Sequence, residues 1–149
     1  MLILGSMPGV KSLEAGQYYA HPRNAFWPIM AGICGFSAAL PYARRALALK
    51  QSGVALWDVL RTCVRPGSLD SAIMKGSCVP NDLPNFLSRH PHIKLVGFNG
   101  SEAENLFHRC VLPQLDAGDL RFVRLPSTSP AHTLPIAKKA VVWRTLLDG

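Results

Sequence analysis

The sequence predicts one α/β domain of three layers, α/β/α, built on a central, mainly parallel, four-stranded sheet. Three observations carry that expectation. Short apolar runs of the kind that form buried strands stand at Leu2-Ile3-Leu4, Val54-Ala55-Leu56-Trp57, Ile93 to Phe98 and Leu120 to Leu125. Segments with helical spacing of apolar residues lie between them, so strands and helices alternate. No repeat or linker interrupts the 149 residues, a length that encloses a single core, so residues 1–149 read as one domain. Such a sheet is covered on both faces, and its ligands gather at the carboxyl ends of the strands.

Each element follows in order. Leu2-Ile3-Leu4 feeds Gly5-Ser6-Met7-Pro8-Gly9, a tight glycine-permitted turn, and a long loop runs on through Tyr18, Tyr19, His21, Pro22 and Arg23. Phe26, Trp27, Ile29, Met30 and Ile33 predict a helix near 25–34, with Gly35 as its stop. Ala38 to Lys50, rich in Ala and Leu and carrying Arg44 and Arg45, predicts a second helix closed by Ser52-Gly53. The strand at 54–57 runs into Asp58. From about Thr62 to Pro84 the Gly, Pro, Ser and Asn content predicts an extended active-site loop with one helical turn, since loops of that length in compact domains usually carry function. Leu83 to His90 reads as a short helix and 93–98 as the clearest strand. Ser101 is expected to cap a helix reaching Leu115, with Glu104 completing a capping box. Leu120 to Leu125 is expected as a strand with both Arg side chains on one face, Pro126 to Thr133 as a rigid loop, and Pro135 to Leu147 as the closing helix. Loops 5–27, 57–70 and 126–133 leave the carboxyl ends of the strands.

Sixteen Lys and Arg against nine Asp and Glu give a net charge of +7 in a chain with only 17% charged residues. That bias suggests a polyanionic partner, nucleic acid first. The 48% apolar content excludes a disordered or collagen-like chain. No apolar run approaches the roughly 20 residues that span a bilayer, so no membrane role is expected. Cys34, Cys63, Cys78 and Cys110 form no C-x-x-C pair, which argues against a zinc or iron–sulfur site and for reduced, mostly buried thiols. No signal peptide is read at the N-terminus. Met1 leads directly into strand-like residues, so either the first strand opens the chain or a short leader has been clipped. A cytoplasmic, bacterial-type protein gathered at the nucleoid by DNA binding is the expectation, with no metal, no cofactor and a monomeric state.

Three loops carry the chemistry. Gly5 to Gly9 contains neither G-x-x-x-x-G-K nor G-x-G-x-x-G, so it supports no nucleotide site and, taken alone, reads as a plain strand-to-loop turn. Tyr18 to Trp27 packs aromatic rings, the Asn24 amide and the Arg23 guanidinium into ten residues, which is what a flipped base needs in stacking surface and edge contacts. The same residues serve a simpler purpose if Asn24 caps the helix and Phe26 and Trp27 enter the core. Trp57-Asp58 at a strand end could read a base edge or hold water, or Asp58 could pair with Arg61 or Arg65. Ser127-Thr128-Ser129-Pro130 offers hydroxyls and N–H groups to phosphates, and His132 reads as a DNA contact or a surface residue. Ser127 has no evident His–Asp partner and no G-x-S-x-G elbow is present, which leaves an esterase poorly supported.

Taken together, these motifs resemble the uracil-DNA glycosylase superfamily. The set is a strand followed by G-x-x-P-G (Gly5 to Gly9), Tyr-x-x-Pro-x-Asn-x-Phe-Trp (Tyr19 to Trp27), G-V-x-L-x-D with an R-x-G-S-like loop (Gly53 to Ser68), and S-x-S-P (Ser127 to Pro130) before the last helix. They stand in family order across nearly the whole chain. Met7 occupies the position where most branches carry a catalytic Asp or Asn. With Asn24 downstream, the combination is similar to the hypoxanthine-DNA glycosylase branch. Ser127 replaces the His that opens the last motif in uracil-specific members, and the wedge Leu falls at Ala131.

The resemblance implies a monofunctional DNA glycosylase that excises deaminated bases, most of all hypoxanthine from deoxyinosine. The alternatives it leaves are a uracil- or mismatch-specific enzyme and a non-catalytic nucleic-acid-binding module. It further implies Asn24 and Asp58 as catalytic groups. Ser6, Met7, Tyr19, Phe26 and Trp57 would line the base pocket, with Phe26 stacked on the base. Arg23, Arg65, Ser127, Ser129 and His132 would meet the DNA.

Overall fold

The computed structural model describes residues 1–147. In chain order its elements are β1 (Leu2–Gly5), α1 (Val10–Ala15), α2 (Phe26–Cys34), α3 (Tyr42–Gln51), β2 (Ala55–Asp58), β3 (Leu60–Thr62), β4 (Val79–Pro80), α4 (Leu83–Arg89), β5 (Leu95–Asn99), α5 (Ser101–Cys110), β6 (Arg121–Leu125) and α6 (Ile136–Arg144). Four strands form one sheet in the order β2-β1-β5-β6, and every pairing in it is parallel. The three-layer α/β/α architecture with a parallel four-stranded sheet is therefore the one the sequence predicts.

Strand alternation sorts the core into its two halves. Leu2 and Leu4 of β1, with Val96 and Phe98 of β5, pack against Leu83 and Leu87 of α4 and Leu106 and Phe107 of α5. Ile3, one residue out of phase, joins Phe26 and Met30 of α2, Leu49 of α3, and Trp143 of α6 on the opposite face. Each of these large side chains removed from water contributes about 1.5–3 kcal/mol. Gly97 faces the second cluster, where a Cβ would crowd Ile3 Cδ1 at 3.0 Å and Leu125 Cδ1 at 3.2 Å. A larger residue there would press on the side chains of Ile3, Leu125 and Leu146.

Several local expectations are corrected. The stretch from Thr62 to Pro84 is not an open loop with one turn: β3 and β4 pair antiparallel, and two 3-10 turns, Asp70–Ala72 and Lys75–Ser77, lie between them. Helix α1 falls within the predicted first loop, and it buries no residue, so it left no apolar stripe to read. Helix α3 starts only at Tyr42 because Pro41 disfavours a helical residue before it. Helix α5 ends at Cys110, and Leu112–Gln114 continues as a 3-10 turn in which Pro113 lacks the N–H an α-helix requires. The closing helix likewise tightens to a 3-10 turn over Thr145–Leu147.

The capping box does not form either. Gly100 is the N-cap, Ser101 already lies inside α5, and Glu104 instead pairs with Arg124 Nε at 3.0 Å. That pair also corrects the placing of both β6 arginines on one face. Arg121 and Arg124 are three residues apart, so the pleat sends them to opposite faces. The four cysteines are free thiols, and they are half-buried rather than sealed in the core. Among the described residues no helix is long and apolar enough to cross a membrane.

Candidate active site

A cavity of about 350 Å³ opens where the carboxyl ends of the strands meet. Parallel pairing brings Gly5 beside Asp58 and sets Asn99 at the end of β5, so three strands deliver their last residues to one place. All three predicted loops reach this cavity.

The first loop is fixed through its carbonyls. The Val59 N–H donates to Gly5 O at 2.8 Å and the Leu60 N–H to Ser6 O at 3.0 Å. The Arg65 guanidinium donates to the carbonyls of Met7, Pro8 and Gly67. Arg65 also approaches Asp70 at 4.0 Å, and its side chain is only 5% exposed. Ser6 Oγ donates to Asp70 Oδ1 at 2.6 Å, and Ser68 Oγ accepts from the Val10 N–H at 2.9 Å. With these carbonyls committed to the protein, the N–H groups of Ser6, Met7 and Gly9 are the backbone donors of Gly5 to Gly9 without an acceptor among the described residues.

Asp58 sits at the wall of the cavity with 5% of its surface exposed. A Cβ at Gly5 would collide with Asp58 Oδ1, so glycine at this strand end makes room for the carboxylate. Among the described residues no donor bonds that carboxylate. Burial, then the charge of Asp70, pushes its pKa from 3.8 up to about 7, against a smaller opposing effect of Arg65. A carboxyl tuned to neutrality in a cleft marks a candidate for proton transfer.

Tyr19 lines the cavity beside Asp58, its hydroxyl and the Asp58 carboxylate both facing Gly5. It is the one non-glycine residue with positive φ, 55°, among those described, a conformation that costs about 1–2 kcal/mol. Among the described residues its buried hydroxyl has no partner at hydrogen-bonding distance, and burial together with the charge of Asp58, against a smaller opposing effect of Asn99, keeps it a phenol, its pKa raised well above the ordinary value. Strain and an orphaned hydroxyl in one residue point to a site rather than to the core. Asn24 Oδ1 accepts from the Phe26 N–H at 3.0 Å, so the helix-capping reading is right for its oxygen. Its NH₂ group remains for the cavity that Asn24 lines.

The last loop is pinned by two residues that sequence reasoning missed. Asn99 Nδ2 donates to Thr128 Oγ1 and Asn99 Oδ1 accepts from the Thr128 N–H, each at 2.8 Å. The Thr128 carbonyl then accepts from the Ala25 N–H at 3.0 Å, which joins this loop to the start of α2. Lys139, 3% exposed, donates to the carbonyls of Ser129 and His132, and burial lowers its pKa. Asp70 is the third residue missed at the cavity. A polar Asn99 closing an apolar strand was the available signal; Asp70 and Lys139 left none.

Ser6, Met7, Tyr19, Asn24, Asp58, Ser127 and Ser129 thus line one cavity. Five expected site residues do not. Phe26 is 0% exposed and lies stacked beneath Tyr19 at 4.1 Å between ring centroids, so it supports the wall and has no face for a base. Trp57 packs edge-on against Phe86 in the other half of the core. Arg65 is the buried clamp just described, not a phosphate contact. Arg23 and His132 are exposed outside the cavity, and His132 takes part through its carbonyl. Among the described residues no cluster of three or more His, Cys, Asp or Glu could hold a metal ion.

Comparison with known proteins decides the family. Residues 1–147 match the family described as the Uracil DNA glycosylase superfamily. The chain belongs to that superfamily. Two curated members are similar to it over 104 residues, 69% of this chain: the hypoxanthine DNA glycosylases of Methanosarcina barkeri, 38% identical, and Methanosarcina acetivorans, 36% identical. The matched stretch covers 65% of each relative, just under two thirds of its length. The fold matches the solution NMR structure of a candidate uracil DNA glycosylase from Methanosarcina acetivorans with a TM-score of 0.77 at 30% identity, over 98% of this chain and 89% of that one. Met7 lines the cavity with a thioether.

Proposed function

We propose that the protein is a monofunctional DNA glycosylase that removes a deaminated base, hypoxanthine from deoxyinosine above others. The observation that carries this reading is Asp58, a buried carboxyl poised near neutrality with no hydrogen-bond donor among the described residues, lining the same cavity as the Asn24 amide. The names of the two similar curated proteins support hypoxanthine as the base.

The target nucleotide swings out of the duplex at a cost of a few kcal/mol, less for a poorly paired base. In the cavity the Ser6 and Met7 N–H groups meet the acceptors of the base. As the C1′–N bond breaks, its electron pair moves onto the base, and these donors together with the Asn24 NH₂ stabilise the growing negative charge. The ionised Asp58 faces the cationic sugar and accepts a proton from the water whose oxygen bonds to C1′. Asn24 cannot act as the base, because an amide nitrogen has no basic lone pair and its oxygen is engaged by Phe26. Cations outside the cavity, Arg23 among them, hold phosphates without regard to sequence.

The test uses duplexes with one inosine or one uracil, followed by alkaline cleavage of abasic sites. Scission at inosine is expected, and its absence on both duplexes would overturn the enzymatic reading. Met7 favours one second reading, a DNA-binding module without catalysis, whose signature is salt-sensitive binding with no base release. A stronger signal on uracil would instead align the chain with the name its structural neighbour bears.

A further inference from the structure

A flipped nucleotide leaves a gap in the duplex, and apolar side chains inserted between base steps are a known way for a protein to occupy such a space. Eleven large hydrophobic residues are exposed on the described surface, and Leu69, 57% exposed, is the one among them that lines the cavity. Resting on the glycosylase reading, we propose that Leu69 is the residue that enters the duplex and holds the gap open.

The backbone places it for this. Leu69 has extended backbone, φ −76° and ψ 130°, immediately before the 3-10 turn Asp70–Ala72. Its neighbours are both anchored to the first loop: Ser68 through the Val10 N–H, and Asp70 through Ser6 Oγ. With both neighbours tied to the first loop, Leu69 stays 57% exposed at the cavity. The Arg65 clamp on Met7, Pro8 and Gly67 stiffens the segment just before it. An apolar side chain held out into water between two fixed points needs no ordering when DNA arrives. Across the cavity, Ser129, Pro130 and Ala131 offer only small or compact side chains, so that rim has nothing of comparable reach.

The experiment compares wild type, Leu69→Ala and Leu69→Met. Single-turnover release of hypoxanthine is measured from duplex and from single-stranded DNA. Flipping is read separately by the fluorescence of 2-aminopurine placed as the target base in a duplex. Leu69→Ala is expected to slow release from duplex about tenfold or more, since unstacking costs a few kcal/mol, and to leave the single-strand rate within about twofold. It should also abolish the fluorescence rise, and Leu69→Met should restore both signals. A duplex rate equal to wild type, an equal loss on both substrates, or undiminished flipping in Leu69→Ala would overturn the assignment, as would a wild type that does not flip 2-aminopurine. Flipping that depends on Leu69 without base release from any substrate would instead remove the glycosylase reading and leave Leu69 in place.

Discussion

Replacing Asp58 with Asn keeps the shape of the side chain and removes its titration. In the native protein the carboxyl is raised from 3.8 to about 7. Between those values the folded chain holds a proton that the unfolded chain has lost. Asp58 therefore lowers stability as the pH climbs from about 4 to about 7, and its full penalty is present above that. At about 1.4 kcal/mol per pH step the penalty reaches about 4 kcal/mol. Asn carries none of it. Asp58→Asn should match wild type near pH 4 and exceed it at pH 8 by up to about 4 kcal/mol, on the order of 10 °C in Tm for a chain of this size. The same change should reduce base release about 100-fold or more, because the water loses its proton acceptor. Wild-type release should itself rise with pH through about 7, as Asp58 ionises. Thermal unfolding and single-turnover release, each followed from pH 4.5 to 8.5, measure both sides. A stability difference that does not grow with pH, or wild-type release by the Asn variant, would refute the reasoning.

Asn24→Ser keeps an oxygen to cap α2 and removes the amide, so its denaturant midpoint should stay near wild type while release falls about 100-fold; Asn24→Ala should in addition lose about 1 kcal/mol of stability. Arg65→Met leaves three carbonyls and Asp70 without their partner and should destabilise by about 2–4 kcal/mol in urea unfolding. The slope of DNA affinity against log salt should not change in that variant, whereas loss of a true phosphate contact would reduce it by about 1. Asp70→Asn removes the like charge that helps raise Asp58, so the rise in base release should move to lower pH, and an unmoved profile would dissociate Asp70 from the titration.

What the sequence revealed follows physical range. Strands β1, β2, β5 and β6 were legible because a parallel sheet buried on both faces demands uninterrupted apolar runs, and their carboxyl ends then placed Ser6, Asp58 and Ser127 in one neighbourhood. Asn24 was legible from its spacing to Phe26. What failed were directions and partners. Phe26 looked like a stacking surface because an aromatic beside Asn24 gives no sign of which way it faces, and the packing of Tyr19 over it decided the matter. Arg65 looked like a DNA contact because nothing local shows that its acceptors are carbonyls 57 and 58 residues away. Lys139 was invisible for the same reason: a lysine in a surface helix reads as solvated until the loop it supports is seen.

The sorting of charge by sign ties the basic chain to its chemistry. The chain carries +7, yet the cavity is lined by Asp58 and Asp70 against one lysine, Lys11, whose ammonium already pairs with Glu14 at 3.5 Å. A cavity built to grip phosphate would have the opposite balance. Glycosidic bond cleavage needs both signs in different places, since the duplex is a polyanion while the sugar becomes cationic as the base departs. Under the proposed function, lodging Asp58 behind Gly5 at the strand end keeps its carboxylate away from the backbone of the DNA. Burial then raises Asp58 toward neutrality, and the Asp58→Asn comparison measures that cost as stability given up for the proposed base.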